Sequence, residues 1–183
     1  MNTCIALFRG INVGGKNSLP MPELFALLEH LGARKIKTYI QSGNAVFQSD
    51  EKNPALLSQA IAEAIKQRWG FAPLVLVLRP DELESAMAAN PFPEAEADPT
   101  TLHLGFLATA PEYPDLPKLA NLRKASECFH LAARVFYLHA PEGVGRSKLA
   151  ANAEKLLGVP LTDRNWRTVC KIREMVKEIN KEF

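Results

Sequence analysis

The chain has 183 residues, of which 47% are hydrophobic and 23% are charged, and its net charge is +2. These values are typical of a globular protein and exclude a disordered or collagen-like chain. No apolar run approaches the roughly 18 residues that a membrane span needs, so we expect a soluble protein without a membrane partner.

The three cysteines, Cys4, Cys128 and Cys170, are odd in number and far apart. Their spacing predicts neither a disulfide framework nor a zinc site, which favours a reducing, cytoplasmic location. Arg9 also interrupts the first apolar run too early for a signal peptide. The four histidines lack metal-binding spacing, so we predict no metal site and expect structural or solvated roles for them. The sequence identifies no cofactor.

Charge is distributed unevenly along the chain. Residues 1–79 carry a net charge of +4, residues 80–115 carry −8, residues 116–145 carry +2 and residues 146–183 carry +4. The acidic middle is interpreted as a solvated connector. Alternatively, the two basic ends converge on one anion site, and the acidic segment stays away from it or closes over it.

The sequence of the first half of the chain predicts four strands and two helices. The expected elements are a strand at Cys4–Phe8, a helix at Met21–Leu31, strands at Ile36–Ile40 and from Ala45, a helix at Pro54–Trp69 and a strand at Leu74–Leu78. Ser42-Gly43-Asn44 has the composition of a turn. The order strand, helix, strand, strand, helix, strand is that of a split βαβ, or ferredoxin-like, unit.

The second half predicts a similar series that ends in a longer helix. The expected elements are helices at Asp81–Ala89, Leu116–Leu122 and Lys148–Leu157, strands at Leu102–Ala108, Glu127–Leu131 and Val135–His139, and a last helix from about Asn165 to Glu182 with an apolar stripe that reaches Phe183. Thr162 or Asp163 is expected to cap this last helix.

We therefore predict an α+β fold of two tandem ferredoxin-like units. The first occupies residues 1–79. An acidic, proline-rich connector with a short helix occupies residues 80–100. The second unit, which is degenerate, occupies residues 101–183 together with the C-terminal helix.

The two halves also share a local sequence pattern. Strand Cys4–Phe8 precedes Val13-Gly14-Gly15-Lys16 and a helix that ends in Leu-Gly, and strand Val135–His139 precedes Val144–Lys148 and a helix that ends in Leu-Gly. We interpret this similarity as a degenerate duplication. The alternative is that strand, turn and helix units resemble one another because glycine turns are common.

The loop between the first strand and the first helix is the leading candidate for ligand binding. Three glycines allow tight turns, and the cations and carboxamides among them are typical of a loop that holds an anion. Gly10-x-x-x-x-Gly15-Lys16 matches most of a phosphate loop, but Asn17 replaces the usual Ser or Thr. The alternative is a polar connection whose asparagines satisfy the local backbone. The candidate ligand-binding residues here are Arg9, Asn12, Gly14, Gly15, Lys16 and Asn17.

Three further segments supply candidate ligand-binding residues. The turn contributes Ser42 and Asn44, the start of the Lys148–Leu157 helix contributes Arg146, Ser147 and Lys148, and the start of the last helix contributes Arg164, Asn165 and Arg167. A helix N-terminus beside two cations favours an anion, and arginine forks suit phosphate or carboxylate. The alternatives are an ordinary hairpin turn, a capping serine and surface ion pairs.

These four segments, Arg9–Asn17, Tyr39–Asn44, Gly145–Lys148 and Arg164–Thr168, resemble the signature blocks of the bacterial domain-of-unknown-function family 1697. The resemblance extends over essentially the whole chain. It implies a fold of two ferredoxin-like units in tandem and implies no chemistry, because the family has no established activity.

The predicted function is the binding of a small anionic ligand, phosphorylated or nucleotide-like, in one polar-basic cleft that the four segments line. One alternative is a phosphoryl- or acyl-transfer enzyme that uses the same cleft with a base or metal the sequence does not identify. Another is a protein-interaction module. Nucleic acid is a weaker candidate partner because the net charge is low and aromatics are few. No oligomeric state is predicted.

Overall fold

The computed structural model describes residues 1–181, so Glu182 and Phe183, the predicted end of the last helix, lie outside the described residues. Within that range the fold is α+β, with two four-stranded antiparallel sheets and six α-helices. The strands are β1 (Asn2–Arg9), β2 (Arg34–Tyr39), β3 (Asn44–Ser49), β4 (Leu74–Leu78), β5 (Leu102–Leu107), β6 (Cys128–Ala132), β7 (Val135–His139) and β8 (Leu161–Asn165). The helices are α1 (Met21–His30), α2 (Pro54–Trp69), α3 (Pro80–Ala88), α4 (Leu116–Leu122), α5 (Lys148–Leu157) and α6 (Trp166–Lys181).

The chain divides into two compact units. Unit 1 comprises residues 1–85 together with α6 from Lys171 onwards, and unit 2 comprises residues 86–170. The sheet of unit 1 has the order β2-β3-β1-β4, and the sheet of unit 2 has the order β6-β7-β5-β8. In each sheet, every pair of neighbouring strands is antiparallel.

Each unit buries one side of its sheet under two helices. In unit 1 alternate residues of β1, including Ala6 and Phe8, pack in one core with Leu24 of α1 and Ile61 of α2. The alternation follows from the two-residue period of a strand. In unit 2, α5 packs its apolar face on β7 through a second core that includes Leu138, Leu149 and Ala153.

Helix α2 shows why several predicted boundaries match the structure. Asn53 caps the helix by accepting a hydrogen bond from the Ala55 amide, and Pro54 occupies the first turn. Gly70 ends the helix in the left-handed conformation, with φ of 78°. Asparagine before proline at the start and glycine at the end are local signals, so the sequence alone marks both ends.

Strand β8 does not follow from the sequence pattern, which predicts that Thr162 or Asp163 caps the last helix. Both residues instead lie within β8, where Thr162 pairs with Phe106 of β5 and Asp163 with Gly105. Asn165 caps α6, since its Oδ1 accepts a hydrogen bond from the Thr168 amide at 3.0 Å. The sequence from 162 to 165 is polar, and tertiary pairing with β5 overrides its low strand propensity.

The sequence similarity between the halves pairs strands that occupy different positions in their sheets. It aligns β1 with β7. In the observed strand orders, however, β7 occupies the place that β3 has in unit 1, and the counterpart of β1 is β5. The loop 140–147 therefore corresponds in position to the segment between β3 and α2, and not to the glycine loop after β1.

Candidate functional site

The loop after β1 folds into a small β-hairpin. Val13 and Lys16 form an antiparallel bridge, and the Lys16 amide donates to the Val13 carbonyl at 3.0 Å. Gly14 and Gly15 lie between them with φ of 58° and 72°, as a two-residue type I′ turn requires. Within residues 1–181, neither glycine amide has an acceptor. The glycines therefore allow a tight turn that leaves two donors at its tip.

Two asparagines hold this hairpin in place. The side-chain Nδ2 of Asn12 donates to the backbone carbonyls of Leu19 and Gln41, both at 2.8 Å. The Oδ1 of the same side chain accepts from the Leu19 backbone amide at 2.7 Å. The Asn17 side chain donates to the Gly10 carbonyl at 2.8 Å. These contacts are those expected if the asparagines satisfy the local backbone. The ligand contacts predicted for them stay predictions.

The turn between β2 and β3 lies at the same edge of the sheet as the hairpin. Gly43 accepts a hydrogen bond from the Phe8 amide at 2.9 Å, and a Cβ atom at Gly43 would lie 2.5 Å from Ile11 Cδ1. Only glycine permits this close approach, and its φ of 88° is also left-handed. The sequence-based hypothesis requires this juxtaposition of the two segments, and the geometry of unit 1 provides it. We call this edge the hairpin edge.

The two predicted residues of the turn have different environments. Ser42 is exposed, whereas Asn44 is fully buried and its side chain donates to the Tyr39 carbonyl at 3.0 Å. Ile40, which begins the turn, is 46% exposed and has φ of 51°, an outlier for a β-branched residue. Backbone strain of this kind costs about 1–3 kcal/mol and tends to collect at ligand-binding sites.

Positive charge accompanies these donors at the hairpin edge. Arg9 ends β1 with an exposed side chain, and Lys16 is exposed beside the hairpin tip. The Lys16 ammonium has no carboxylate partner among residues 1–181. A cation next to two open amides is a combination that attracts an anion.

In unit 2, three predicted residues lie at the start of α5. Ser147 is buried and caps the helix, because its Oγ accepts a hydrogen bond from the Ala150 amide at 3.0 Å. Arg146 and Lys148, on either side of it, are exposed. Neither side chain has a hydrogen-bonding or ionic partner in the described part of the chain. The serine thus serves the helix, and the two cations remain available to solvent.

The remaining predicted residues lie at the end of β8. Arg164 is only 9% exposed, its Nη1 donates to the Asp163 carbonyl at 2.7 Å, and burial lowers its pKa from 12.5 to about 10. The guanidinium therefore remains charged at neutral pH. Asn165 caps α6, and Arg167 in the first turn is exposed. Of these three residues, Arg167 is the one with an exposed side chain.

The two predicted segments of unit 2 lie at one edge of its sheet. The end of β7 pairs with the start of β5 through His139 and Leu102, and the end of β8 pairs with the same strand start through Asn165 and His103. The loop that follows β7 and the start of α6 therefore emerge together. The prediction that the segments of both units share one cleft stays a prediction.

A pair formed by the buried His103 and the exposed carboxylate of Asp163 in unit 2 was not predicted. His103 Nδ1 lies 2.7 Å from Asp163 Oδ2, and its Nε2 lies 3.1 Å from the Thr100 carbonyl. Burial by itself lowers the pKa of His103. The hydrogen bond and the charge of Asp163, together with the hydrogen bond to the Thr100 carbonyl, raise this pKa by more, so that its net shift is upward. These residues are 60 positions apart in sequence, and strand pairing alone brings them together.

Metal-binding clusters and membrane-spanning helices are both absent from the described residues. Residues 1–181 contain no group of three or more His, Cys, Asp or Glu side chains placed to hold a metal ion. None of the helices in this range combines the length and apolar character needed to cross a bilayer.

Comparison with solved structures finds similarity to a conserved bacterial protein. The chain is similar over 95% of its length to a solved structure, the conserved bacterial protein SP0830 from Streptococcus pneumoniae, with 27% identity, 98% coverage of that chain and a TM-score of 0.68. No curated protein sequence matches the chain.

A family model described as a protein of unknown function, DUF1697, matches residues 1–137. This range contains the hairpin and the turn after β2, and it ends before the basic segments of unit 2. Because the match covers well over half of the 183 residues, the chain belongs to the DUF1697 family of proteins of unknown function.

Proposed function

We propose that the protein binds a small anion, phosphorylated or nucleotide-like, at the hairpin edge of unit 1. The observation that carries this proposal is the set of donors at the hairpin tip. The amides of Gly14 and Gly15 and the ammonium of Lys16 have no internal partner among residues 1–181. An anion that accepts from all three would satisfy donors that the fold leaves open.

The support beneath these donors is rigid, which favours binding. The asparagine contacts described above fix the hairpin on the β2–β3 turn, so little conformational entropy remains to be lost on binding. Arg9 and Ser42 add an exposed cation and hydroxyl at the same edge. We assign direct contacts to these groups and to the hairpin tip, and a positioning role to Asn12, Asn17 and Asn44.

A nucleotide-like ligand fits the apolar surface near these polar groups. Val13 is 65% exposed in the hairpin, and Ile40 is 46% exposed in the adjoining turn. An aromatic base can pack on such side chains while its phosphate contacts the hairpin tip.

In unit 2 we assign anion contacts to the exposed cations Arg146, Lys148 and Arg167, at a place in the sheet that does not correspond to the hairpin edge. Ser147 and Asn165 hold the helix starts that carry them, and the buried Arg164 supplies charge beneath the surface.

The proposal includes the finer architecture predicted from the sequence. The matching strand orders of the two sheets support two tandem ferredoxin-like units related by duplication. We retain the division at residues 1–79, 80–100 and 101–183 within this proposal. The three free cysteines support a reducing, cytoplasmic setting.

The test is binding of adenosine monophosphate by calorimetry and thermal shift. Ligand at about 100 times its dissociation constant should raise the free energy of unfolding by roughly 2.7 kcal/mol. We expect Lys16→Ala to weaken binding roughly tenfold or more, since it removes a charged hydrogen bond. Lys66→Ala, at an exposed position in the last turn of α2, is the matched control and should bind normally. Equal affinity of the wild type and Lys16→Ala would refute the proposed site.

A further inference from the structure

Unit 1 has a cavity at the edge of its sheet opposite to the hairpin edge. The cavity has a volume of about 540 Å³ and lies where β1 begins and where β4 ends. At about 3.3 Å per residue, the eight residues of β1 place it roughly 23 Å from the hairpin. The volume is within the range of about 300–1,000 Å³ that small-molecule sites occupy.

Two cations contribute to the lining of this cavity. Lys52 precedes α2 and Arg79 follows β4, and the Arg79 guanidinium donates to the Lys52 carbonyl at 3.3 Å. The Lys52 ammonium has no hydrogen-bonding or ionic partner within residues 1–181. Burial raises the pKa of the Cys4 thiol in the lining, and the smaller effect of the Arg79 charge opposes this rise.

The starts of two helices and the end of a third also contribute to the lining of the cavity. Pro54 and Pro80, the first residues of α2 and α3, both line it. Two helix starts add partial positive charge to that of the side chains. Asn180 of α6 uses its Oδ1 to accept from Thr3 at 2.7 Å, and its side-chain amide hydrogens have no acceptor within residues 1–181.

Two carboxylates in the lining favour hydroxyl groups over a second anion. Glu51 accepts a hydrogen bond from the Asn53 amide at 2.7 Å through Oε1, and its other oxygen has no partner in the described part of the chain. Asp81 lies in the first turn of α3, and its carboxylate has no partner among residues 1–181. A carboxylate can accept hydrogen bonds from sugar hydroxyls, as one does from the ribose in dinucleotide-binding folds.

Unit 2 provides an independent parallel at the corresponding edge of its own sheet. Arg146 lies in the segment after the third strand of unit 2, as Lys52 does in unit 1. Arg167 lies in the first turn of the helix that follows the fourth strand, and Arg79 directly follows the fourth strand of unit 1. In both units, exposed cations therefore follow the third and the fourth strand. Arg146 and Arg167 are among the residues predicted from the sequence, whereas Lys52 and Arg79 are not.

We propose that this cavity binds a small phosphorylated polyol, with the two cations holding the phosphate and the two carboxylates holding hydroxyl groups. The proposal is separate from the one for the hairpin edge, since it uses other residues at the opposite end of β1.

The test is calorimetric titration with ribose 5-phosphate, inorganic phosphate and ribose. We expect saturable binding of ribose 5-phosphate, weaker binding of phosphate and none of ribose. The double variant Lys52→Ala with Arg79→Gln should bind roughly tenfold to a hundredfold more weakly, because it removes two charged contacts. The matched control, Lys66→Ala with Arg34→Gln, makes the same charge change at exposed positions outside the cavity and should bind normally.

Cys4 gives a second readout, because this thiol is buried and lines the cavity. Ribose 5-phosphate should slow its alkylation by iodoacetamide, measured on peptides by mass spectrometry. The exposed Cys128 of unit 2 serves as the internal reference and should react unchanged.

Several results would overturn the proposal. They are the absence of saturable ribose 5-phosphate binding, full affinity in the Lys52 and Arg79 double variant, or an equal loss in the control. Lys16→Ala separates the two proposals, because it should leave binding in the cavity intact. If Lys16→Ala abolishes binding of ribose 5-phosphate and the double variant does not, the cavity proposal fails and the hairpin proposal stands.

Discussion

Gly43 is the residue on which the hairpin edge depends most directly. Its missing side chain lets the β2–β3 turn approach Phe8 and Ile11, which a Cβ atom would meet at 2.7 Å and 2.5 Å. Both of those neighbours are buried core residues that have little room to move. The position therefore couples a turn that carries candidate ligand groups to the core of unit 1.

Gly43→Ala should destabilise the protein by about 2–4 kcal/mol, the sum of backbone strain and overpacking. Urea unfolding followed by circular dichroism measures this loss. Gly70→Ala is the matched control, since Gly70 has φ of 78° but a Cβ atom there would meet no heavy atom within 4 Å, and it should lose only the strain contribution. Equal losses in the two variants would show that the close approach at Gly43 contributes nothing.

His103 gives unit 2 a pH-dependent contact. Both of its ring nitrogens face acceptors, the Asp163 carboxylate and the Thr100 carbonyl, so only the imidazolium can donate to both. Because the folded state raises the pKa of His103 above 6.5, the stabilisation is complete below that pH. It is lost as the pH rises through the higher pKa of the folded protein.

The stability of the wild type should therefore fall, relative to His103→Gln, as the pH rises from 6.5. The measurement is the free energy of unfolding in urea across a pH series, with each variant compared with the wild type at every pH. His30→Gln, at an exposed position in α1, is the control and should keep the slope of the wild type. A difference between wild type and His103→Gln that does not change with pH would contradict this role.

At the scale of elements, helix starts determine where the basic side chains of unit 2 lie. Ser147 begins α5 and Asn165 begins α6, each by a side-chain hydrogen bond to a backbone amide of its helix. The flanking arginines and lysine take their positions from these caps. A capping residue can therefore look like a ligand-binding residue in the sequence, since serine and asparagine suit both roles.

Ser147→Ala should lower the free energy of unfolding by about 1 kcal/mol, the usual effect of losing an N-cap. Ser147→Thr keeps the hydroxyl and should recover most of the loss. Chemical denaturation measures both variants. If alanine leaves stability unchanged while it weakens ligand binding, Ser147 is a ligand contact and its capping role is unimportant.

The predictability of elements followed the type of signal that each one carried. Helix α2 has local start and stop residues, and its bounds were predicted correctly. Strand β8 has none, because Asp163 and Arg164 give its sequence a polar character. The position of β8 comes from its pairing with β5. Gly105 of β5 leaves room for Leu161, because a Cβ atom at position 105 would lie 2.9 Å from the Leu161 side chain. Such pairing depends on residues more than 50 positions away and leaves no local trace.

At the scale of the whole molecule, the candidate residues separate into groups with different tasks. The hairpin brings Gly14, Gly15 and Lys16 together as open donors, whereas Asn12 and Asn44 have structural hydrogen bonds. The sequence identified the loop as unusual because glycines, amides and a cation occurred together. The sequence did not distinguish the amide groups that hydrogen-bond within the fold from those that have no acceptor in the described residues. That difference depends on which carbonyls lie near each amide in the folded chain.

The amino-acid sequence by itself determined the α+β character, most element boundaries and the polar nature of the loop after β1. These properties depend on periodicity, caps and turn residues, which act over a few positions. Tertiary structure decided the rest. It placed β8 in the second sheet, joined His103 to Asp163, and formed a cavity that includes Lys52 and Arg79. Each of these features arises from pairing between distant segments, whose free energy depends on the assembled sheet and not on any one segment.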